Sequence, residues 1–413
     1  MKNWAGNFEY QAQLVFEPRS IADAQEVVQK SLKLKVYGSR HSFNHVADTT
    51  DTHVSLQHLN RIVSIDEAAQ TVTFEGGIRY GELVTHLHEH GFALHNMASL
   101  PHITVAGACA TATHGSGEKN GNLATAVRGL DIITGSGEIV TFAGDDLAGA
   151  AVHLGALGIV ARMTLAIQPT YQVHQRVFRE MPFSQMLEHF DEIQASAYSV
   201  SLFTGWEGDS INENTINQVW LKRHASEGDL PDSEFFGAVA AQEKIHPIPD
   251  FADMFDSCTE QLGIVGSWYE RLPHFKLAFV ASAGEELQSE YFVSREHAQS
   301  ALEAMRSVED KIALFVYCSE IRTIAADDLW MSPCYQQDSV AIHFTWKPMG
   351  PEVKSVLPEI EGALRPFGVK PHWGKLFTIK DFRYEKLDDF REMVSKHDPN
   401  RKFGNAFLEE FIY

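Results

Sequence analysis

The sequence predicts an α+β fold that is divided into two domains. Its 413 residues are more than one ordinary domain needs. Predicted helices and strands follow one another irregularly instead of in repeated βαβ units, which favours antiparallel sheets. The pattern of predicted elements changes after Pro169 and Thr170, which interrupt the chain after a predicted strand. We therefore expect the first domain to end near residue 170.

The elements of the first half follow from periodicity and from residues that start or stop helices. Ser20 is a suitable N-cap, and Ile21, Ala24, Val28 and Leu32 follow at helical spacing. An apolar run at 34–37 then predicts a strand that ends at a glycine. The remaining predictions are strands at 62–66 and 71–75, a helix at 79–90, a hairpin of 127–134 and 138–142, a helix at 146–154 and a strand at 159–167.

The second half is richer in strands and contains a long irregular stretch. Ser294 is the predicted N-cap of a helix that carries Ala298, Leu302, Met305 and Val308. The other predictions are strands at 198–203 and 218–223, an irregular region at 231–273, long strands at 312–323 and 340–346, and helices at 352–364 and 384–396. This order is typical of an antiparallel sheet with helices on one side.

Composition excludes several classes of protein. Asp and Glu outnumber Lys and Arg by 55 to 34, and the net charge of −21 opposes binding to nucleic acid or to anionic membranes. No apolar run approaches the roughly 18 residues of a membrane span, and the first residues lack the apolar core of a signal peptide. The four cysteines form no CxxC pair, so we expect reduced thiols and no metal site. A cytoplasmic monomer is the resulting expectation.

Two loops rich in small residues, 38–44 and 107–117, each follow an apolar run. Gly, Ala, Ser and Thr let backbone N–H groups approach a diphosphate closely, so together the loops predict a pyrophosphate-binding cradle. Either loop alone is equally compatible with a tight turn. A Rossmann fingerprint fails because Asn120 stands where the third glycine is required, and no GxxxxGK[ST] loop occurs. NAD and ATP are therefore poor candidates.

Polar residues alternate with apolar ones in the two long strands. Side chains two residues apart share a face of a strand, so Glu320 lies beside Arg322, and His343 lies beside Thr345. A buried polar face needs hydrogen-bonding partners. Two interpretations are open at this point: a structural ion pair between Glu320 and Arg322, or a binding site for a polar ligand.

Five motifs carry a family resemblance: GSRHSFN at 38–44, NMASLPH at 96–102, EIR at 320–322, HFTW at 343–346 and PHWGK at 371–375. The chain resembles the vanillyl-alcohol-oxidase class of FAD proteins and, within it, the alditol (xylitol) oxidases, over nearly its whole length. The resemblance implies an FAD-binding domain at 1–170, joined by the C-terminal segment 376–413, and a cap domain at 171–375.

The resemblance also implies that FAD is attached covalently to His41. A neutral imidazole nitrogen can attack the electrophilic 8α carbon of the flavin, whereas a loop histidine without such a motif is usually structural or solvated. Arg40 stands where many relatives have glycine, and His95 stands where proline is common. The implied cofactor-binding residues are Gly38, Ser39, Arg40, His41, Ser42, Ser99, Thr104, Gly107, Thr111, Ala112, Thr113, His114, Ile159 and His372.

The implied reaction is oxidation of a primary alcohol of a small polyol such as xylitol or sorbitol, with O2 reduced to H2O2. The implied substrate-binding residues are Ser99, Glu320, Arg322, Thr345 and Lys375. His343 and Lys375 are the two candidates for handling the hydroxyl proton, with Arg322 as electrostatic support. The alternatives are an aldonolactone oxidase or dehydrogenase of the same fold, and a non-catalytic protein that binds flavin or polyol.

Overall fold

The computed structural model describes residues 1–207, 215–279 and 286–413, and it confirms the α+β class. The strands before residue 170 are β1 (Leu14–Phe16), β2 (Leu34–Tyr37), β3 (Thr52–Ser55), β4 (Ile62–Asp66), β5 (Thr71–Glu75), β6 (Phe92–Ala93), β7 (Val127–Ile133), β8 (Ile139–Phe142), β9 (Ile159–Ala166) and β10 (Gln168–Pro169). The α-helices of this part are α1 (Ile21–Lys30), α2 (Tyr80–Glu89), α3 (Val105–Ala110) and α4 (Leu147–Ala150).

These strands form two principal sheets. The first is a small parallel sheet in the order β1-β3-β2, and the second is an antiparallel sheet in the order β4-β5-β9-β7-β8. The predicted hairpin is confirmed as β7 and β8, in which Leu130 lies opposite Phe142. Strands β6 and β10 form a further antiparallel pair. Antiparallel pairing therefore dominates, as the irregular order of elements predicts.

Helix α1 begins where the sequence indicates and ends earlier. Ser20 and Asp23 form a reciprocal capping box, and Ala24 and Val28 are buried. The prediction for Leu32 is wrong, because the helix ends at Lys30 and the Leu32 side chain is 85% exposed. The helix predicted at 146–154 is also shorter. Leu154 has a left-handed φ of 53°, and its N–H donates to the Ala110 carbonyl (3.0 Å) instead of to a helical partner.

The strands after residue 170 are β11 (Gln172–Pro182), β12 (Ser199–Thr204), β13 (Thr215–His224), β14 (Glu234–Phe235), β15 (Ala238–Ala240), β16 (Gly266–Ser267), β17 (Leu287–Ser294), β18 (Val316–Ile324), β19 (Ser339–Trp346) and β20 (Lys370–Pro371). All belong to one ten-stranded sheet, whose main order is β14-β15-β11-β13-β12-β18-β19-β17-β20, with β16 beside β11. The remaining α-helices are α5 (Phe183–Glu188), α6 (Phe190–Ala195), α7 (Ala298–Arg306), α8 (Glu309–Ala313), α9 (Gly350–Leu364), α10 (Leu387–His397) and α11 (Ala406–Phe411).

Short 3₁₀ segments connect many of these elements. They are His45–Ala47, Leu123–Ala126, Gly144–Asp146, Ala225–Glu227, Pro249–Ser257, Trp268–Glu270, Arg295–His297 and Arg365–Phe367. The helix predicted after Ser294 starts as one of them, becomes α-helical at Ala298 and ends before Val308. The strand predicted at 312–323 begins only at Val316, because Ile312 belongs to α8. Strands β11 and β17 have no counterpart in the predictions.

Helices cover one face of the large sheet with a hydrophobic core. Ile321, Ile342 and Phe344 point into a hydrophobic cluster shared with Leu302 and Ile360, which come from α7 and α9. Their sequence neighbours point the other way, as the period of two predicts. Within the described residues, no helix is long and apolar enough to cross a bilayer. The opposite, polar face of the sheet lines a cavity.

Candidate active site

A cavity of about 860 Å³ extends from the loops of the first part of the chain to the polar face of the large sheet. Every predicted cofactor-binding, substrate-binding and catalytic residue lines it, with the exceptions of Ala112 and Ile159. Ile159 is fully buried in a hydrophobic cluster, but its neighbours Gly158 and Val160 reach the cavity. The structure therefore gathers residues from five separate motifs around one space.

The first small-residue loop lies very close to the start of α3, and the prediction of a loop from residue 107 is wrong in its first part, because residues 107–110 belong to that helix. A Cβ atom added at Gly38 would lie 2.1 Å from the Thr104 hydroxyl, and one added at Gly107 would lie 2.8 Å from it. The Thr104 N–H also donates to Ser39 Oγ (3.3 Å). Such crowding excludes larger side chains at both glycines, and both residues line the cavity wall with backbone alone. This arrangement fits a diphosphate group.

Arg40 adopts the left-handed conformation that glycine adopts most easily, with φ 63°. Its carbonyl accepts a hydrogen bond from Trp4 N–H (2.8 Å), and its guanidinium donates to the Lys2 carbonyl (3.1 Å). Arg40 therefore keeps the left-handed backbone conformation that glycine would adopt at this position. The guanidinium is tied to the N-terminal segment at the cavity rim.

His41 is a half-buried ring with one buried nitrogen that has no hydrogen-bond partner. Trp4 stacks on it with the ring centroids 4.9 Å apart, and Nδ1 is buried without a hydrogen-bond partner. Burial lowers the pKa of His41 to about 4, so the imidazole is neutral near pH 7. A neutral ring with an unused nitrogen beside the small-residue loops is chemically suited to alkylation by a flavin.

The antiparallel register builds a row of polar side chains across three strands. His343 of β19 lies opposite Glu290 of β17 on one side and opposite Glu320 of β18 on the other. The next row on the same face contains Gln288, Thr345 and Cys318. The site is therefore organised by strand pairing, in which a shift of one residue would turn every polar group away from the cavity.

Glu290 is the shared partner of two cations. Its carboxylate lies 2.6 Å from Arg322 Nη2 and 2.7 Å from Lys375 Nζ, and only 1% of its side chain is exposed. Burial alone would raise its pKa, but Lys375, His114 and Arg322 hold the pKa of Glu290 well below its ordinary value. Glu320 and Arg322 do form an ion pair, with 3.6 Å between the charged atoms, but Glu290 is the closer partner of Arg322 at 2.6 Å.

Hydrogen bonds fix the protonation of His343. The Gln288 amide N–H donates to Glu286 (2.5 Å), which turns its carbonyl oxygen toward His343 Nε2 (3.2 Å). Nε2 therefore carries the ring proton, and Nδ1 remains buried without a partner. Burial keeps the pKa of His343 well below its ordinary value. The site thus contains a neutral imidazole with an unused acceptor nitrogen.

Glu320 has a partner from the irregular region. His274 Nε2 lies 2.8 Å from Glu320 Oε1, and both side chains are buried. Burial alone would raise the pKa of Glu320, but Arg322 and His274 hold it well below its ordinary value. Aromatic side chains of Phe203, Phe251 and Phe275 line the same cavity and complete its wall with apolar surface.

Three of these site residues were not predicted: Glu290, Gln288 and His274. A weak signal existed for the first two, because Gln288 and Glu290 stand two residues apart on one face of β17, as Glu320 and Arg322 do in β18, but the polar Ser289 between them blurs the alternation. His274 gives no local signal, since it lies in a stretch without periodicity and reaches the site only through tertiary folding.

Comparison with known proteins agrees with this geometry. Residues 12–143 match the FAD binding domain family, and residues 283–411 match the D-arabinono-1,4-lactone oxidase family. An alditol oxidase from a Streptomyces species is 42% identical over 99% of this chain and 98% of its own length. An L-gulonolactone oxidase from Mus musculus is 27% identical over 100% of this chain and 98% of its own length.

The fold has close counterparts among solved structures. A cholesterol oxidase from B. sterolicum superimposes with a TM-score of 0.76 at 14% identity, covering 100% of this chain and 96% of its own. That likeness concerns the fold, whereas the full-length identity to the Streptomyces enzyme concerns the family. The chain belongs to the alditol oxidase family of FAD-binding oxidoreductases, within the vanillyl-alcohol-oxidase class.

Proposed function

We propose that this enzyme oxidises a terminal primary alcohol of a small linear polyol, such as xylitol or sorbitol, to the aldose and passes the electrons to O2, giving H2O2. The observation that carries the proposal is the neutral His343 with its free Nδ1, placed among Glu320, Arg322 and Lys375 at one end of the cavity. The full-length similarity to an alditol oxidase supports the substrate class.

FAD would be held by the two small-residue loops and attached to His41. Gly38, Gly107 and Thr104 present a tight backbone surface to the diphosphate, and the unpartnered His41 Nδ1 provides the nucleophile. Once bound, FAD supplies the acceptor for the hydride that leaves the alcohol carbon. The other cofactor contacts expected from the resemblance, including those of Ala112, Ile159 and His372, belong to the same proposal.

Adjacent hydroxyls of a polyol match the polar face of the sheet. A hydroxyl can donate to the Glu320 carboxylate while another accepts from Arg322, and Ser99 and Thr345 supply further polar contacts at the cavity wall. These groups would otherwise hold buried hydrogen-bonding capacity that costs free energy when it is left unused. Glu290 keeps the cations in place by pairing with Arg322 and Lys375.

His343 is the better of the two candidates for accepting the hydroxyl proton. Its Nδ1 has a free lone pair, and its ring is neutral at pH 7 because burial lowers its pKa. Lys375 is instead paired with Glu290 at 2.7 Å, so its ammonium is suited to orienting the substrate oxygen and stabilising developing negative charge.

One experiment tests cofactor, linkage and substrate together. The purified protein should be yellow, should stay yellow after acid precipitation, and should bleach when xylitol is added without oxygen. Readmission of oxygen should restore the colour and form H2O2. A protein that xylitol bleaches but that only artificial acceptors reoxidise would be a dehydrogenase, which contradicts the oxidase part of the proposal.

A lactone substrate is the second candidate, favoured by the match of residues 283–411 to the D-arabinono-1,4-lactone oxidase family. Side-by-side bleaching by xylitol and L-gulono-1,4-lactone separates the two. A non-catalytic flavin-binding protein would be bleached by neither compound. The lactone-acting relatives share less of the sequence, 27% against 42%, which favours the polyol.

We also propose the two-domain division at 1–170 with 376–413, and 171–375. All strands of the ten-stranded sheet lie between Gln172 and Pro371, which supports those boundaries. A cytoplasmic monomer is the accompanying proposal, supported by four buried cysteines without disulfides and by the acidic charge. Size-exclusion chromatography with light scattering tests the oligomeric state, and cell fractionation tests the compartment.

A further inference from the structure

A buried lysine, Lys222 of β13, lies behind the substrate end of the cavity and has no assigned role. Its ammonium donates to the Leu272 carbonyl (2.5 Å) and the Pro273 carbonyl (3.1 Å), and it lies 3.2 Å from His274 Nδ1. These three acceptors match the three protons of an ammonium group. In the described part of the chain, Lys222 forms no ion pair with a carboxylate, so its charge is held by dipoles and by the histidine.

This contact determines which nitrogen of His274 carries the proton. Nδ1 faces an ammonium that has only donors, so Nδ1 must be the acceptor, and the ring proton must be on Nε2. Nε2–H then donates to the Glu320 carboxylate at 2.8 Å. The opposite tautomer would turn two lone pairs toward each other at Glu320. Lys222 and Glu320 thus favour the same neutral tautomer from opposite sides of the ring, and the lysine reinforces the donor that Glu320 needs.

Packing and a backbone hydrogen bond fix the position of the His274 ring. Its ring packs edge-on against Phe203 (5.5 Å) and Trp220 (5.1 Å), and its carbonyl accepts from Thr259 N–H (2.9 Å). The position of the ring is therefore set by packing, whereas its neutral, Nε2-protonated form is reinforced by Lys222. The two influences are separable by mutation.

We propose that Lys222 is a positioning residue for the reaction: acting through neutral His274, it fixes the orientation of the Glu320 carboxylate that receives a substrate hydroxyl. This inference rests on the proposed function in assigning the substrate to Glu320, but the link from Lys222 through His274 to Glu320 exists whatever the substrate is. Neither Lys222 nor His274 touches the reacting atoms in this scheme.

The charges around Lys222, His274 and Glu320 predict that substrate affinity depends on pH. Burial lowers the pKa of Lys222 to about 7, with Glu320 and Cys258 acting to raise it and Arg271 to lower it. Burial also lowers the pKa of His274 to about 4, so the ring stays neutral in this range. As the pH rises through about 7, the Lys222 ammonium loses a proton. The remaining amine has only two N–H donors for its three acceptors, the Leu272 and Pro273 carbonyls and His274 Nδ1. Substrate affinity should therefore weaken above about pH 7.

The test is a double-mutant cycle of Lys222→Met and His274→Gln in the flavin-loaded enzyme, read by anaerobic flavin reduction with xylitol. In the single variant Lys222→Met, the apparent Kd should rise about 10–100-fold, by analogy with the loss caused by removing a group that orients a metal ligand. The change of affinity near pH 7 should disappear as well. Glutamine has no tautomers and keeps an N–H toward Glu320, so His274→Gln should bind xylitol nearly as the parent does.

The cycle distinguishes positioning from simple packing. When His274→Gln is already present, adding Lys222→Met should raise Kd by less than about threefold, because the donor to Glu320 no longer depends on the lysine. An equal loss in both backgrounds would overturn the proposal in favour of a structural role. Lys370→Met, a buried lysine of the same sheet outside the cavity, is the matched control and should leave Kd unchanged.

A second readout does not use substrate. Nitrogen-15 spectra of histidine-labelled protein should show His274 neutral and protonated at Nε2 in the parent. In Lys222→Met, where the ammonium no longer lowers the pKa of the ring, part of His274 should leave this form, as the imidazolium or the opposite tautomer. Spectra of His274 that are identical in parent and variant from about pH 5 to about pH 8 would overturn the proposal. If xylitol fails to bleach the parent flavin, the proposed function fails, whereas the spectra still decide whether Lys222 controls His274.

Discussion

Arg322 and Glu290 form a 2.6 Å ion pair that spans β19, the strand lying between theirs. Glu320, only two residues from Arg322 on the same strand, is more distant at 3.6 Å. The guanidinium is therefore anchored from one side and left available to substrate from the other. Glu290 also holds Lys375, so a single carboxylate positions both cations of the site.

Glu290→Gln should impair both stability and catalysis. The substitution leaves two buried cations without their counter-charge, and breaking a buried pair costs about 3–5 kcal/mol. Urea unfolding and anaerobic flavin reduction measure the two effects. Glu361→Gln is the matched control, because Glu361 is a buried carboxylate of the same region that accepts hydrogen bonds from Tyr291 and Thr378 outside the cavity. The control should lose stability alone; normal reduction in Glu290→Gln would contradict the assignment.

Stability should fall in acid because of the same carboxylate. The folded pKa of Glu290 lies well below its ordinary value of 4.5, so the charged form contributes stability above about pH 4.5. That contribution is lost as the pH falls through the unfolded pKa toward the folded one. The free energy of unfolding of the parent should therefore decrease more steeply below pH 4.5 than that of Glu290→Gln. Parallel curves would show that folding does not lower the pKa of Glu290.

His343→Ala and Lys375→Met should fail in different ways. Loss of a general base typically slows the chemical step by about 10²–10⁴-fold, so we expect such a fall in the limiting rate of flavin reduction for His343→Ala. Lys375→Met should chiefly weaken substrate binding and lower the rate less. Stopped-flow reduction at several xylitol concentrations separates limiting rate from apparent Kd. The reverse pattern would identify Lys375 as the proton acceptor.

Glu320→Gln and Arg322→Lys test the other half of the polar face. Glutamine lacks the negative charge and lysine lacks the guanidinium fork, so turnover should fall steeply in both variants. The flavin spectrum should stay close to that of the parent, since neither residue belongs to the two loops. Near-normal reduction by xylitol in both would place the substrate elsewhere in the cavity.

Flavin attachment should be insensitive to pH over the range in which an ordinary histidine titrates. Because burial lowers the pKa of His41 to about 4, the neutral ring predominates from about pH 5.5 upward. Apoprotein mixed with FAD at about pH 5.5 and 7.5 should therefore incorporate flavin at similar rates, whereas a group with the ordinary pKa of 6.5 would react about tenfold more slowly at the lower pH. Mass spectrometry should locate the flavin on the His41 peptide, and His41→Ala should bind it only non-covalently.

The left-handed backbone of Arg40 gives a stability prediction. A non-glycine residue in this conformation costs about 1–2 kcal/mol, which is partly offset because glycine is freer in the unfolded chain. Arg40→Gly should therefore be about 0.5–1 kcal/mol more stable than Arg40→Ala. Both variants lose the contact to Lys2, so their difference isolates the backbone effect in urea unfolding. Equal stabilities would contradict it.

Local sequence patterns predicted many of the helices and strands, and they predicted the site residues on β18 and β19. Alternation in β18 and β19 correctly separated Glu320 and Arg322 from Ile321, because the rule depends only on strand geometry. The motif resemblance located the loops around His41. Both signals are carried by short consecutive segments.

What could not be predicted depends on pairing between distant segments. The sequence does not say that β17 lies beside β19, so nothing placed Glu290 opposite His343 or identified it as the partner of Arg322. His274 enters from an aperiodic stretch and meets Glu320 only in the folded protein. The end of the helix at Lys30 and the late start of β18 are boundary errors, where tertiary contacts outweigh local preference.

The polar row and the apolar wall of the cavity are built from different kinds of structure. His343, Glu290 and Glu320 stand on three paired strands, whereas Phe251 and Phe275 come from the aperiodic stretch between β15 and β17. Replacements in that stretch can alter the length and shape of accepted substrates without disturbing strand register. The range of accepted substrates can therefore change without a change in the residues that carry out the chemical step. Libraries for directed evolution should vary Phe251, Phe275 and their neighbours in this stretch.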